Sequence, residues 1–226
     1  MRSNLPVERL GFGNVRLMAT KERREREKEQ RRMDILDAAR TLLLENGLKA
    51  ASINGIAKLS ELSIGAIYFY FKDKEEIYAA LQVEGLDILY QFAREAAAES
   101  AGADDAVRQI ALAYLRFSEE HKSYFDIMNY FLASPKTVFS PELKTQVDGH
   151  AANSIALLVD AIQKGVEKGI FKKVNPRQEA LILWSGCHGA IMLKKMARTV
   201  MEKGEYGMFY NGVIERFLSG IHREDH

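Results

Sequence analysis

The stretch Glu61-Leu62-Ser63-Ile64-Gly65-Ala66-Ile67-Tyr68-Phe69-Tyr70-Phe71-Lys72-Asp73-Lys74-Glu75-Glu76-Ile77-Tyr78 decides the fold. Ser63 is placed to cap a short helix over Ile64 to Phe71, and Asp73 to cap the next one. Glu75 and Glu76 then fall in a first turn, where the helix dipole favours negative charge. On a wheel of about 100° per residue, Ile67 and Phe71 point one way with Ile64 near them. Gly65 and Phe69 point the opposite way, flanked by Ala66 and Tyr68. A large ring between two tyrosines therefore faces outward, an apolar surface that a monomer does not usually leave to water.

Upstream, apolar residues recur at helical spacing through Ile35, Ala38, Ala39, Leu42 and Leu43, and Gly47 is the expected stop. A second helix starts at Ser52 as N-cap and carries Ile53, Ile56, Ala57 and Leu59 inward. Three short helices, the last two joined by a tight turn, have the arithmetic of a helix-turn-helix. Ahead of them lies the arm Lys21 to Arg32, where seven cations alternate with four glutamates. Such a run reads either as a solvated helix laced with i,i+4 ion pairs or as a nucleic-acid arm contributing Arg24, Arg31 or Arg32. The first twenty residues match neither part, and a start at Met18 stays an alternative.

Composition bounds the class. The chain has 226 residues, 47% hydrophobic and 28% charged, which fits an ordinary soluble globular protein with a proper core. Its four prolines leave the span between Pro6 and Pro135 without an obligate helix breaker. The single Cys187 makes no internal disulfide, so a cytoplasmic setting is expected. The longest uncharged run, Ala180 to Leu193, is too short for a bilayer. A net charge of +1 by itself argues for no nucleic acid.

Enzyme signatures are missing, so no catalytic role is expected. Gly11-Phe12-Gly13 has Arg16 where a dinucleotide fingerprint needs its third glycine. Cys187-His188 has no partner pair at metal-ligand spacing, so neither a metal nor another cofactor is expected. A different class stays open: a helical adaptor that binds a protein partner through Tyr68-Phe69-Tyr70.

The string ILDAARTLLLENGLKAASINGIAKLSELSIGAIYFYFKDKEEIY, Ile35 to Tyr78, closely resembles the amino-terminal signature of the TetR-type transcriptional regulators. The matching features are Ala38-Ala39, Gly47, Ile56-Ala57 and Ser63-x-Gly65-x-x-Tyr68-x-Tyr70-Phe71-x-x-Lys74. Leu43 departs from a usual phenylalanine, and Glu61 stands where the turn usually has glycine. The resemblance implies an all-α chain in three parts: an arm over 1–24, a DNA-binding domain over 25–78, and a helical effector-binding and dimerisation domain over 79–226. It further implies a repressor released from a palindromic operator by a small hydrophobic or aromatic effector.

By the same resemblance, Tyr68, Tyr70 and Lys74 contact the phosphate backbone, while Ile64, Gly65, Ala66 and Phe69 face base edges. Tyr70 also reads as a core residue, being only about 60° from Ile67 on the wheel. Small residues at Gly65 and Ala66 let a helix backbone approach the bases, and phenol hydroxyls and a lysine reach phosphates. Asn54 is the polar candidate for adenine, with Ser52 beside it at the head of the second helix; Asn54 reads equally as a plain surface residue.

Beyond Ala98 helices are expected from Asp104 to His121, from Ser123 as a cap through Leu132, over Leu143 to Lys168, from Pro176 to Met201, and over Tyr206 to Ile221, with a loop between Pro135 and Pro141. Gly186, Gly189 and Ala190, with Phe209, Val213 and Phe217, form two stripes suited either to a four-helix homodimer interface or to packing inside one chain. For the effector the candidates are Phe117, Tyr124, Met128, Phe131 and Trp184, with Asn153 and His188, and also Asn129 and His150, as orienting polar groups.

Overall fold

The computed structural model describes residues 12–50, 52–133, 139–202 and 204–223. Ten helices occur among them: α1 (Phe12–Ala50), α2 (Ile53–Leu59), α3 (Ile64–Tyr70), α4 (Lys74–Ala98), α5 (Ala103–Glu120), α6 (Lys122–Leu132), α7 (Pro141–Glu167), α8 (Pro176–Met192), α9 (Lys194–Val200) and α10 (Tyr206–Ile221). The only β-type pairing among the described residues is an isolated antiparallel bridge between Phe171 and His222. The fold is all-α, as expected. The chain divides into two compact units, Met1–Ile77 and Tyr78–His226.

In the first unit α1 continues back through the charged arm, because lysine, arginine, glutamate and glutamine are good helix formers and neither proline nor glycine interrupts them after Gly13. Residues 21–30 are exposed, and Arg23 pairs with Glu27 at 3.1 Å one turn on. Each such pair adds only about 0.3–0.5 kcal/mol, so the arm is a solvated helix rather than part of the core. Gly47 breaks α1 with φ 71°, the left-handed conformation for which glycine has no Cβ penalty. Ile35, Leu36, Ala39 and Leu43 of α1 are buried, together with Ile56 and Ala57 of α2, Ile67 of α3, and Phe71. Leu43 is thus a core residue that fills its site without a ring. Leu59, expected inward, is 49% exposed, because α2 is short and its buried stripe ends at Ala57. Residues 1–11 lie outside the described part, and with them the first half of the expected arm.

The second unit is built on α5, α7, α8 and α10 around Val107, Phe117, Ile162, Tyr210 and Ile214. Tyr210 is fully buried, and its hydroxyl donates to the Ala111 carbonyl at 2.9 Å, joining α10 to α5. Burial pushes that phenol far above its ordinary range, so it stays a protonated donor. At the end of α7 the chain folds back: the N–H groups of Ile170 and Phe171 both donate to the Gly165 carbonyl, at 2.9 and 3.1 Å.

Several boundaries differ from expectation. α5 begins at Ala103 with Gly102 as N-cap, and Asp105 instead accepts from the Ala101 N–H at 2.9 Å. α6 begins at Lys122, so Ser123 sits inside the first turn and caps nothing. The segment from Pro176 breaks at Leu193 into α8 and α9, with no proline or glycine at the break to mark it. Pro135 lies outside the described residues. α10 covers the expected span, Tyr206 to Ile221.

Candidate DNA-reading helix and effector cavity

Two side-chain caps set up the first candidate site. Ser52 Oγ accepts from the Gly55 N–H and Ser63 Oγ from the Ala66 N–H, both at 3.1 Å, fixing where α2 and α3 start. Each cap is worth about 1 kcal/mol, which matters for helices of only seven residues. Asp73 caps α4 by accepting from the Glu76 N–H at 2.9 Å, and Glu76 reaches back to the Lys72 N–H.

Between α2 and α3 the Leu62 N–H donates to the Ala57 carbonyl and the Glu61 N–H to the Lys58 carbonyl, the 6→1 and 5→2 pattern of a Schellman turn. That pattern puts Glu61 at φ 56°, and no other non-glycine residue among those described has a positive φ. The turn is therefore kept with a Cβ in the left-handed region, at about 1–2 kcal/mol. Glu61→Gly removes that strain and a carboxylate near the amino end of α3. It is expected to stabilise the fold by about 1 kcal/mol and tighten DNA binding. A lower melting temperature, or weaker binding to duplex DNA, would count against this.

Held this way, α3 buries Ile67 and leaves Phe69 74%, Tyr68 53% and Ile64 45% exposed. Gly65 is exposed as well; a Cβ there would approach only its neighbour's Ser63 Oγ, at 3.9 Å, so the leading end of the helix is open. Ala66 is half-buried beside it. Tyr70 is half-buried, with its ring edge-on to Phe69 at 5.2 Å, so it is neither core nor fully outward. Lys74 is half-buried in the first turn of α4, and Ser52 and Asn54 are exposed at the head of α2. The oxygen of Ser52 is already committed to its cap, which leaves Asn54 as the freer polar group there. Around Phe71, on the buried side, the Arg32 guanidinium lies 5.3 Å from the ring centre.

The second candidate site is a cavity of about 610 Å³ in the second unit, walled by α4 to α8. Its lining is mainly aliphatic and aromatic, from Leu86, Ile110, Phe125, Ile155, Leu158 and Trp184 among others. Of the expected ligand residues it brings together Met128, Phe131, Trp184 and His188, with Asn129 as a polar neighbour. Three others are not on the wall. Phe117 is fully buried in the core; Tyr124 donates to Glu84 at 3.1 Å; Asn153 is exposed on α7. The reason is helical phase: Asn153 is one position from the lining residues Ala152 and Ser154, and Tyr124 one from Phe125, so each turns off the wall. His150 is taken up by Asp87 at 2.6 Å.

Two lining residues had no signal in the sequence. Gln82 is buried and donates to the Ile127 carbonyl at 3.1 Å; Tyr114 meets His188 Nδ1 at 2.8 Å across 74 positions of sequence. Burial lowers the pKa of His188 and raises that of Tyr114, so both are neutral near pH 7. Cys187, buried beside them, is pushed up to about 11 and is no thiolate.

The stripes on α8 and α10 also separate. A Cβ on Gly186 would lie 3.0 Å from Val213 Cγ1, so this glycine serves close packing of α8 on α10 within one chain, while Gly189 has nothing within 4 Å. Phe209, Val213 and Phe217 are packed against the core. The large apolar residues that stay exposed along α8 and α9 are Leu181, Ile182, Met192, Leu193, Met196 and Val200.

Two family models match this chain. The family described as "Bacterial regulatory proteins, tetR family" matches residues 35–81, and "Tetracyclin repressor-like, C-terminal domain" matches residues 107–207. A fatty acid metabolism regulator protein of Bacillus subtilis is 22% identical over 208 residues, 88% of this chain and all of that protein. The HTH-type transcriptional repressor KstR2 of Rhodococcus jostii is 28% identical over 151 residues, 64% of this chain and 70% of its own. Among solved structures, the TetR family transcriptional regulator PfmR of Thermus thermophilus superposes with a TM-score of 0.66 at 25% identity, covering 84% of this chain and 99% of that one. FadR of Bacillus subtilis, solved with stearoyl-CoA, gives 0.70 at 22% identity, covering 84% and 99%.

Proposed function

The chain belongs to the TetR family of transcriptional regulators, and on that premise we propose that it is a homodimeric repressor which leaves a palindromic operator when an apolar effector enters the α4 to α8 cavity. The observation that carries the DNA half is the outward face of α3, an open Gly65 and a largely exposed Phe69 between two tyrosines on a helix rooted by buried Ile67. None of its groove-facing side chains makes a bidentate hydrogen bond, so base reading rests on thymine methyls, groove shape and Asn54. Tyr68, Tyr70 and Lys74 supply the phosphate contacts.

Dimerisation is supported by the exposed Ile182, Leu193, Met196 and Val200 on α8 and α9, an apolar stripe that water covers poorly. A palindrome also asks for it, because two recognition helices must sit about 34–36 Å apart. The effector half is supported by the cavity wall and by similarity to the fatty acid metabolism regulator and to the FadR structure with bound stearoyl-CoA, both of Bacillus subtilis. An effector that prefers one of two dimer geometries by about 1–3 kcal/mol changes operator affinity roughly 5–150-fold.

Sequencing duplex fragments retained by the purified protein tests this. An inverted repeat with half-sites one helical turn apart, or a multiple of it, is the expected result. Retention of no fragment, or of fragments without two-fold symmetry, would argue against the proposed reader. A compound that fills the cavity yet leaves operator affinity unchanged would argue against the release step.

A further inference from the structure

At one end of the apolar cavity three rings, Trp184, Tyr114 and His188, pack against one another. Tyr114 is buried, so the proton of its hydroxyl needs an acceptor. His188 Nδ1, 2.8 Å from that hydroxyl, is the acceptor in reach. An imidazole that accepts at Nδ1 and is neutral carries its proton on Nε2.

Ring contacts hold this arrangement. Trp184 stacks on His188 with centroids 4.9 Å apart, and Phe125 and Tyr114 flank it at 6.1 and 6.3 Å. No buried side-chain nitrogen or oxygen among the described residues lacks a partner, and Nε2 has no described partner, so Nε2 reaches open space. The open space beside His188 is the cavity.

The lining also says what charge is welcome. Lys144 is the one lysine or arginine among the described lining residues, and its ammonium is paired with Asp148. A buried carboxylate would find no unpaired cation there, and an unpaired buried charge is costly.

We propose that His188, held as the Nε2–H tautomer by Tyr114 and oriented by the stacked Trp184, is the group that selects the effector, by donating to a neutral carbonyl oxygen on an otherwise apolar skeleton, as in a ketone, ester or thioester. The inference rests on the effector-cavity reading and gives it a chemical class. Tyr114 and Trp184 are positioning residues in this scheme. His188 is the contact.

Trp184 is the only tryptophan of the chain, so its fluorescence reports on this end of the cavity directly. The full-length protein is titrated with 2-tridecanone, tridecane and dodecanoate, following Trp184 emission and displacement of the neutral fluorophore N-phenyl-1-naphthylamine. The ketone-to-alkane affinity ratio is expected to fall about tenfold in His188→Leu, since a site built around a donor discriminates through that donor. An unchanged ratio overturns the proposal and leaves the cavity reading intact, as does tighter binding of dodecanoate than of the ketone. Failure of all three to displace the fluorophore or shift Trp184 emission overturns both. Independently of any variant's folding, a two-bond 1H–15N spectrum of the unmodified protein should show His188 protonated at Nε2 only. Tyr114→Phe should convert that signal to a mixture of tautomers. A proton on Nδ1 in the unmodified protein would overturn the assignment.

Discussion

Replacing Tyr68 with phenylalanine and Lys74 with alanine together is expected to weaken operator binding about a thousandfold while the protein stays folded. Tyr68 is largely exposed, and Lys74 lies in the first turn of α4, where the dipole disfavours a cation. Neither change removes a buried ring. A hydroxyl and an ammonium on phosphate oxygens contribute about 2 kcal/mol together per subunit, hence about 4 kcal/mol over a two-fold operator, and each 1.4 kcal/mol is tenfold. Losing one lysine–phosphate contact per subunit also makes the plot of log K against log salt shallower by about 1.8. Titration of a labelled operator at several salt concentrations, beside a thermal melt, reads both quantities. Unaltered affinity with an unaltered slope would remove these side chains from the interface.

The second large effect lies at the turn closing α7. A Cβ built on Gly165 would lie 2.1 Å from Phe171 Cδ2 and 2.2 Å from Cε2, far inside contact distance. The ring cannot swing away cheaply: Phe171 is buried, and its own N–H and that of Ile170 are both bonded to the Gly165 carbonyl. Gly165→Ala is therefore expected to cost about 3 kcal/mol, at the upper end of overpacking, and to lower the melting temperature by about 6–12 °C. Gly149→Ala on the same helix should do the reverse. It is exposed, meets nothing within 4 Å, and gains about 0.5–1 kcal/mol from the better helix former. Equal melting temperatures for the two variants would mean that the Gly165–Phe171 contact is not as tight as described.

The parts legible in the sequence are those written in local chemistry. Ser52, Ser63 and Asp73 announce three helix starts through side-chain oxygens three residues ahead of the amides they cap, and the structure uses all three. The outward turn of Phe69 followed from helical phase alone. The glycine-less turn at Glu61 was legible as a conflict, and the strain sits at that residue. Where side chains compete for one cavity, phase errors of a single position suffice: Asn153 and Tyr124 lie beside lining residues and point elsewhere. Tyr114 and Gln82 were missed because their partners, His188 and Ile127, are brought in by tertiary packing that no local periodicity encodes. The break at Leu193 has no proline or glycine, and only the packed structure reveals it. The glycine of α8 that packs tightly, Gly186, could not be told from its open neighbour Gly189 before the position of Val213 was known.

The placement of α3 in a major groove is tested most directly by putting a photoreactive p-azidophenylalanine in place of Phe69 and irradiating the protein on its operator. With α3 in the groove, the side chain bonds covalently to operator bases, in both half-sites and at the same position in each. Adducts confined to a protein partner, or no operator adduct from a protein that still binds DNA, would contradict it and favour the adaptor use of the same aromatic surface.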